Sequence, residues 1–270
     1  MQRLRDVERI RYRWSASARN YGPQLVLNVH MQRMLKALPA ALIAAALWCP
    51  SLASAKDIQV GVVKTPVIAP ACPAASTGPS DCTIVLNWMT AIESENSGTA
   101  YPTLITTPGM ISSFTVGVSG LSSSASTRKT MVTNGDAKYG GPPSVRLTVL
   151  RQVGRPSANN WRVVRQSPVY TLQNDLGQVV EFALLSPLPV ARGEVLAITA
   201  PTWAPIINWN VQAGQFGFLE NRTSSTVCSS VANVKSAVFA QQLIGQLATF
   251  GCAFTGGSLE YSALEVTATG

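Results

Sequence analysis

The sequence is short of the residues that carry most enzyme chemistry. Its one histidine is His30, so the chain from Lys56 onward has none. That excludes Ser-His-Asp and Cys-His hydrolases, histidine-ligated metals and a histidine pH switch in this part of the protein. Neither a G-x-x-x-x-G-K-[ST] loop nor a G-x-G-x-x-G between strand and helix occurs, so nothing points to a backbone cradle for nucleotide phosphates. Charged residues make up only 13% of the 270 residues, against 46% hydrophobic, a balance that can build a packed core and does not describe a disordered polyampholyte.

The formal charge of +8 is concentrated at one end. Residues 1–55 carry eight Lys or Arg against Asp6 and Glu8, a net +6, whereas residues 56–270 carry thirteen against eleven acids, a net +2. With so small a surplus and sparse interleaved aromatics, nucleic acid is not an expected partner.

From Met31 the chain reads as a secretory signal: basic Arg33 and Lys36, an apolar run from Ala37 to Trp48, then small residues at Ala53 and Ala55. Cleavage is expected after Ala55. The apolar run, about 12 residues, is well short of the roughly 20 that span a bilayer. The expected organisation is therefore an extension over residues 1–30 that lies ahead of the true start at Met31, a signal peptide over 31–55, and one secreted domain over 56–270. No membrane span is expected in the mature protein.

Beyond the leader remain Cys72, Cys82, Cys228 and Cys252, an even number in a chain addressed to an oxidising compartment. Three pairings are possible. The favoured one joins Cys72 to Cys82 and Cys228 to Cys252, each pair being near in sequence and bracketing an irregular segment. No C-x-x-C occurs, and no metal or other cofactor is expected.

The pattern after Lys56 is one of short apolar or alternating runs separated by turn clusters, which predicts an all-β fold, a single antiparallel β-sandwich of jelly-roll type. Strands are expected over Gln59–Val63, Cys82–Ala91, Met110–Val118, Val145–Gln152, Trp161–Gln166, Val179–Leu185, Val195–Thr199, Gln215–Leu219 and Leu259–Val266. The Ser-rich stretch from Gly117 to Thr133 reads as a mobile loop, Asn134-Gly135-Asp136 as a tight turn, and Pro201 to Pro205 as a break between strands. Ser229 to Phe250, inside the Cys228–Cys252 bracket, is expected to form an irregular or short helical excursion.

The ordered features Thr107-Pro108-Gly109-Met110, Val145-Arg146-Leu147-Thr148-Val149 and Ser186-Pro187-Leu188-Pro189-Val190-Ala191-Arg192-Gly193-Glu194 resemble those of uncharacterised secreted β-sandwich proteins of actinobacteria. Glu194 stands where that family usually has Asp. The resemblance implies fold and export and carries no activity.

Three functions remain in view. The first is non-catalytic binding, of cell-wall or other polysaccharide, through Trp203 and Trp209 stacking on sugar rings with Asn208 and Asn210 supplying amides; Pro201 and Pro205 are expected to hold this segment out of the ladder. An anionic polymer would instead meet Arg146, Arg162 and Arg165, with Arg151 and Arg155 beside them, on two adjacent strands. The second is a glycoside-active enzyme built on a carboxylate pair drawn from acids such as Glu93, Glu95, Asp175, Glu181 and Glu194. The third is a purely structural or protein-interaction domain. Oligomeric state is not legible.

Overall fold

A computed structural model describes residues 55–72, 84–212, 214–222, 228 and 242–268. The expected leader, apart from Ala55, and Cys82 lie outside the described residues, as does most of the Ser229–Phe250 excursion. Residues 53–270 form one compact unit.

Among the described residues its strands are β1 (Ala55–Val60), β2 (Val85–Asn96), β3 (Thr99–Ala100), β4 (Gly109–Gly117), β5 (Ser144–Gln152), β6 (Asn160–Gln166), β7 (Tyr170–Thr171), β8 (Val179–Val190), β9 (Glu194–Pro205), β10 (Ile207–Asn208), β11 (Phe216–Glu220), β12 (Leu247–Thr249), β13 (Cys252–Thr255), β14 (Ser258–Leu259) and β15 (Tyr261–Ala268), and α-helix α1 spans Ala125–Tyr139. A four-stranded sheet runs β1-β15-β4-β8. A larger one runs β12-β6-β5-β9-β2-β11-β13, with β3 beside β2 and β7 beside β5, and a two-stranded ribbon joins β10 to β14. Every pairing is antiparallel.

The alternation of Val145, Leu147 and Val149 puts them in the core between the two sheets, with Ile198 of β9, Leu86 of β2, Phe114 of β4 and Tyr261 of β15. The alternate residues Arg146 and Thr148 predict a partly wet opposite face, yet it is covered as well: Leu150, Trp161, Val195, Ile92 and Phe250 form a second cluster there. Three threonine hydroxyls link neighbouring strands of this sheet, Thr90 to Thr199 at 2.8 Å and Thr199 to Thr148 at 2.7 Å. They satisfy one another in a region closed to solvent.

Strand β8 departs from its sequence pattern. Its continuous apolar run suggests cover on both faces, yet it is an edge strand paired only to β4, and Leu185 is fully exposed. Run length reports local hydrophobicity, whereas edge position is set by topology.

Helix α1 replaces the expected Ser-rich loop and Asn134-Gly135-Asp136 turn. Ser124 caps it, its side chain accepting from Thr127 N, and Gly140 ends it in the left-handed region at φ 80°. The helix has no apolar stripe for a periodicity argument to find. Gly135 is used instead for close approach, because a Cβ there would lie 2.8 Å from the Trp203 ring.

Cys228 and Cys252 are joined as expected. Cys72 is disulfide-bonded; its expected partner Cys82 is not among the described residues. No helix among the described residues is long and apolar enough to cross a membrane.

Candidate functional site

A cleft of about 310 Å³ opens beside the β10–β14 ribbon. One wall is a strap, residues 61–72, that runs without strand pairing between β1 and the chain leading to β2. Thr65 to Ile68 of the strap face Asn208, Asn210, Asn96, Phe216, Glu260 and Tyr261 across it.

Local chemistry explains how the asparagines are held. Ile207 and Asn208 pair with Leu259 and Ser258, and the Asn208 side chain then turns the strand end by accepting from Asn210 N at 2.9 Å. The Asn208 amide donates to Glu260 Oε1 at 2.9 Å, and Ile68 N donates to Glu260 Oε2 at 3.0 Å. Asn210 Nδ2 reaches Ala71 O at 3.3 Å. Glu260 and Asn210 thereby hold the strap to the ribbon. The strap seats against β4 at Gly117, where a Cβ would lie 1.7 Å from Ile68 O, a contact only glycine permits.

Behind the ribbon lies Glu93 of β2, 2% exposed. It accepts from Ser258 Oγ at 2.9 Å and from Leu259 N at 2.6 Å, so the ribbon backbone separates it from the cleft. Burial pushes its carboxyl well above the ordinary range; the Leu259 and Ser258 donors oppose this, and the charge of Glu260 adds to it. Glu260, 8% exposed, is also raised by burial, against the Ile68 and Asn208 donors. Tyr261 completes the group: its hydroxyl donates to Leu196 O at 2.9 Å, and burial raises it further above the usual phenol range. The pair favours one or two neutral carboxyls. Only Glu260 faces the cleft, so a ligand there would meet one acid directly and the other through it.

The residues singled out from sequence divide three ways. Asn208 and Asn210 line the cleft. Trp209 is half-buried nearby, its ring 5.8 Å from Phe218 and 6.5 Å from Phe254, and it packs against this stacked pair rather than standing clear of it. Trp203 is corrected outright. At 2% exposure it lies in β9 beneath α1, its Nε1 donating to Asp136 Oδ1 and Gly141 O at 3.1 Å, so no ring face is open to a sugar. Pro201 does not lift the chain out of the sheet. It falls where the β2–β9 ladder skips from Ala200↔Met89 to Trp203↔Asn87, a bulge at which its missing N–H costs nothing.

The arginines lie elsewhere, on β5 and β6, which pair as a hairpin. Arg151 Nη2 and Arg165 Nη1 both donate to Glu194, at 2.6 and 2.9 Å. Arg162 donates to Gly245 O at 3.0 Å, and Arg146 is half-buried, its guanidinium lowered by burial. The patch is thus partly neutralised by Glu194, itself 1% exposed. Glu181 is exposed on β8 and accepts from Ser113 Oγ at 2.5 Å.

Glu260 was not legible as a site residue, and Glu93 only as an acid at a strand end. The available signal was a carboxylate within a strongly apolar strand. No protein-family model, curated protein or solved structure matches the chain.

Proposed function

We propose that this protein is an exported, non-catalytic β-sandwich that binds a polysaccharide of the cell wall or cell exterior in the cleft between the strap and the β10–β14 ribbon. The observation that carries the reading is the lining itself: the amides of Asn96 and Asn210 and the carboxyl of Glu260 beside the half-buried ring of Phe216, with Asn208 and Tyr261 buried behind them. Sugars present hydroxyls to amides and carboxylates and C–H faces to aromatic rings, and a groove of this size holds one or two such units. Export is supported by the leader over residues 31–55 and by the Cys228–Cys252 disulfide. Binding is favoured over turnover because Glu93, the stronger candidate for a proton donor, is closed behind Ser258 and Leu259.

The test is retention of the purified protein on insoluble glycans and isolated cell walls, beside an Asn96→Ala/Asn210→Ala variant with an unchanged melting temperature. Retention that falls at least about tenfold in the variant supports the cleft. Equal retention of both proteins, or none by the parent, overturns it. Steady release of reducing sugar, lost in Glu260→Gln, would replace binding with hydrolysis by a carboxylate pair.

A further inference from the structure

Five glutamates of the sandwich, Glu93, Glu194, Glu220, Glu260 and Glu265, are closed off from solvent. A buried carboxylate is expensive unless a cation accompanies it. Among the described residues that cation is supplied twice: Arg151 and Arg165 meet Glu194, and Arg222 meets Glu220. The described residues that line the cleft include no Lys, Arg or His, and the described groups holding Glu93 and Glu260 are hydroxyl, amide and backbone N–H donors. Glu265 also has no salt bridge, but it lies in the β15 ladder with β1 and β4 and does not line the cleft.

We infer that the cleft takes a sugar bearing a protonated amine, as in a deacetylated amino-sugar polymer, whose ammonium group supplies Glu260 with the cation that the described lining lacks. The inference rests on the saccharide reading above and names its ligand class. Each oxygen of Glu260 accepts one bond in the structure and retains a second acceptor direction. An ammonium donates up to three hydrogens and matches that vacancy, whereas an anionic sugar would bring a third carboxylate to a site already holding two. A metal ion fits less well, because no group of three or more His, Cys, Asp or Glu able to hold one occurs among the described residues. The upward shifts of both acids agree with the arrangement: an arriving ammonium favours the ionised form, so binding should expel a proton to the buffer.

The test is calorimetric titration of the purified protein with four probes: a glucosamine hexamer, an N-acetylglucosamine hexamer, a galacturonate hexamer and butylamine. The glucosamine hexamer should bind at least about tenfold tighter than its acetylated counterpart. Its binding enthalpy should vary with the ionisation enthalpy of the buffer, the signature of proton release. Glu260→Gln should bring the two hexamers to within about twofold and abolish that buffer dependence. The probe comparison and proton release are read on the parent protein and stand whether or not the variant folds. Tighter or equal binding of the acetylated or galacturonate hexamer overturns the inference and leaves the saccharide reading intact. Butylamine binding with proton release, where no hexamer binds, upholds the amine and overturns the saccharide. Failure of all four probes with the folded protein overturns both.

Discussion

The large sheet and the cleft under the strap both bury polar groups, and they satisfy them in opposite ways. On the outer face of the sheet Trp203 Nε1 has two acceptors, and at the other end of β9, on the face that carries Val149 and Leu196, Glu194 has two arginines plus Ala191 N at 2.8 Å. The cover over Trp203 is a capped helix with a glycine fitted to the indole. Across the cleft the cover is an unpaired strap fastened by Ile68 N and Ala71 O, and the acids beneath it have neutral partners only. Saturated polar groups under a regular element make a rigid wall. Carboxyls left without counter-charge beside an opening retain affinity for something that is not part of the chain.

The widest separation of the two regions should come from Trp203→Ala. Removing the largest fully buried side chain strips the contact with Gly135 and leaves Asp136 and Gly141 without their donor, and the expected loss is about 3–5 kcal/mol in denaturant unfolding. Saccharide binding by whatever fraction stays folded should be unchanged. A loss below about 1 kcal/mol would show that α1 does not depend on the indole.

Next in size is Arg151→Ala combined with Arg165→Ala. Glu194 then stays buried with Ala191 N as its remaining partner from another residue, at an expected cost of about 3 kcal/mol. Arg151 is 55% exposed, so the single Arg151→Ala change should account for the smaller part, under about 1 kcal/mol. If the double variant were as stable as the parent, the claim that Glu194 needs a resident cation would fail, and with it the contrast to Glu260.

Much of this architecture was legible in the sequence, and the exceptions have physical causes. Each of the nine expected strands overlaps an observed one, although Gln59–Val63 does so only at Gln59 and Val60 and Leu259–Val266 straddles β14 and β15, because alternation and turn residues report local geometry directly. Helix α1 escaped because the residues it packs around Trp203, namely Met131, Val132, Gly135 and Tyr139, are too few to leave a strong apolar period, and its ends are set by Ser124 and Gly140. Trp203 was misplaced because Pro201 looks like a strand breaker until a bulge in β9 itself excuses its missing N–H. At the cleft, Asn208 and Asn210 were visible as amides around an aromatic in a proline-bounded segment. Glu260 was not, since the group that fastens it to the strap, Ile68 N, is 192 residues away in sequence.

Gly117→Ala should act on the cleft alone. Gly117 has no unusual φ, so alanine is tolerated by its own backbone, but the new Cβ would meet Ile68 O at 1.7 Å and the strap must move. The expected cost is about 1–2 kcal/mol, with faster tryptic cleavage after the exposed Lys64 and faster amide exchange at Ile68. Exchange in the β5–β9 ladder should hold. Uniformly faster exchange across both sheets would mean that the strap is part of the sandwich's cooperative core rather than a separately fastened wall.

The smallest effect concerns how stability depends on pH, and its sign follows from the acids. Glu93, Glu220, Glu260 and Glu265 all have carboxyls raised above the ordinary 4.5, each chiefly by burial. A raised folded-state value means that the native protein holds its proton more tightly than the unfolded chain does. Stability from these groups is therefore fully present below pH 4.5 and is lost as pH rises through the folded values. The melting temperature should fall between about pH 5 and pH 8, contrary to the usual pattern of acid denaturation. Glu93→Gln should make this slope shallower while costing under about 1 kcal/mol at pH 5, because a neutral amide can still accept from Leu259 N and donate to Ser258 Oγ. Glu194→Gln, which weakens two arginine contacts, should destabilise the protein at pH 7. A melting temperature that rises from pH 5 to pH 8 in the parent would show that the cleft carboxyls are ionised in the native protein. The distinction between counter-charged and uncharged glutamates would then have to be abandoned.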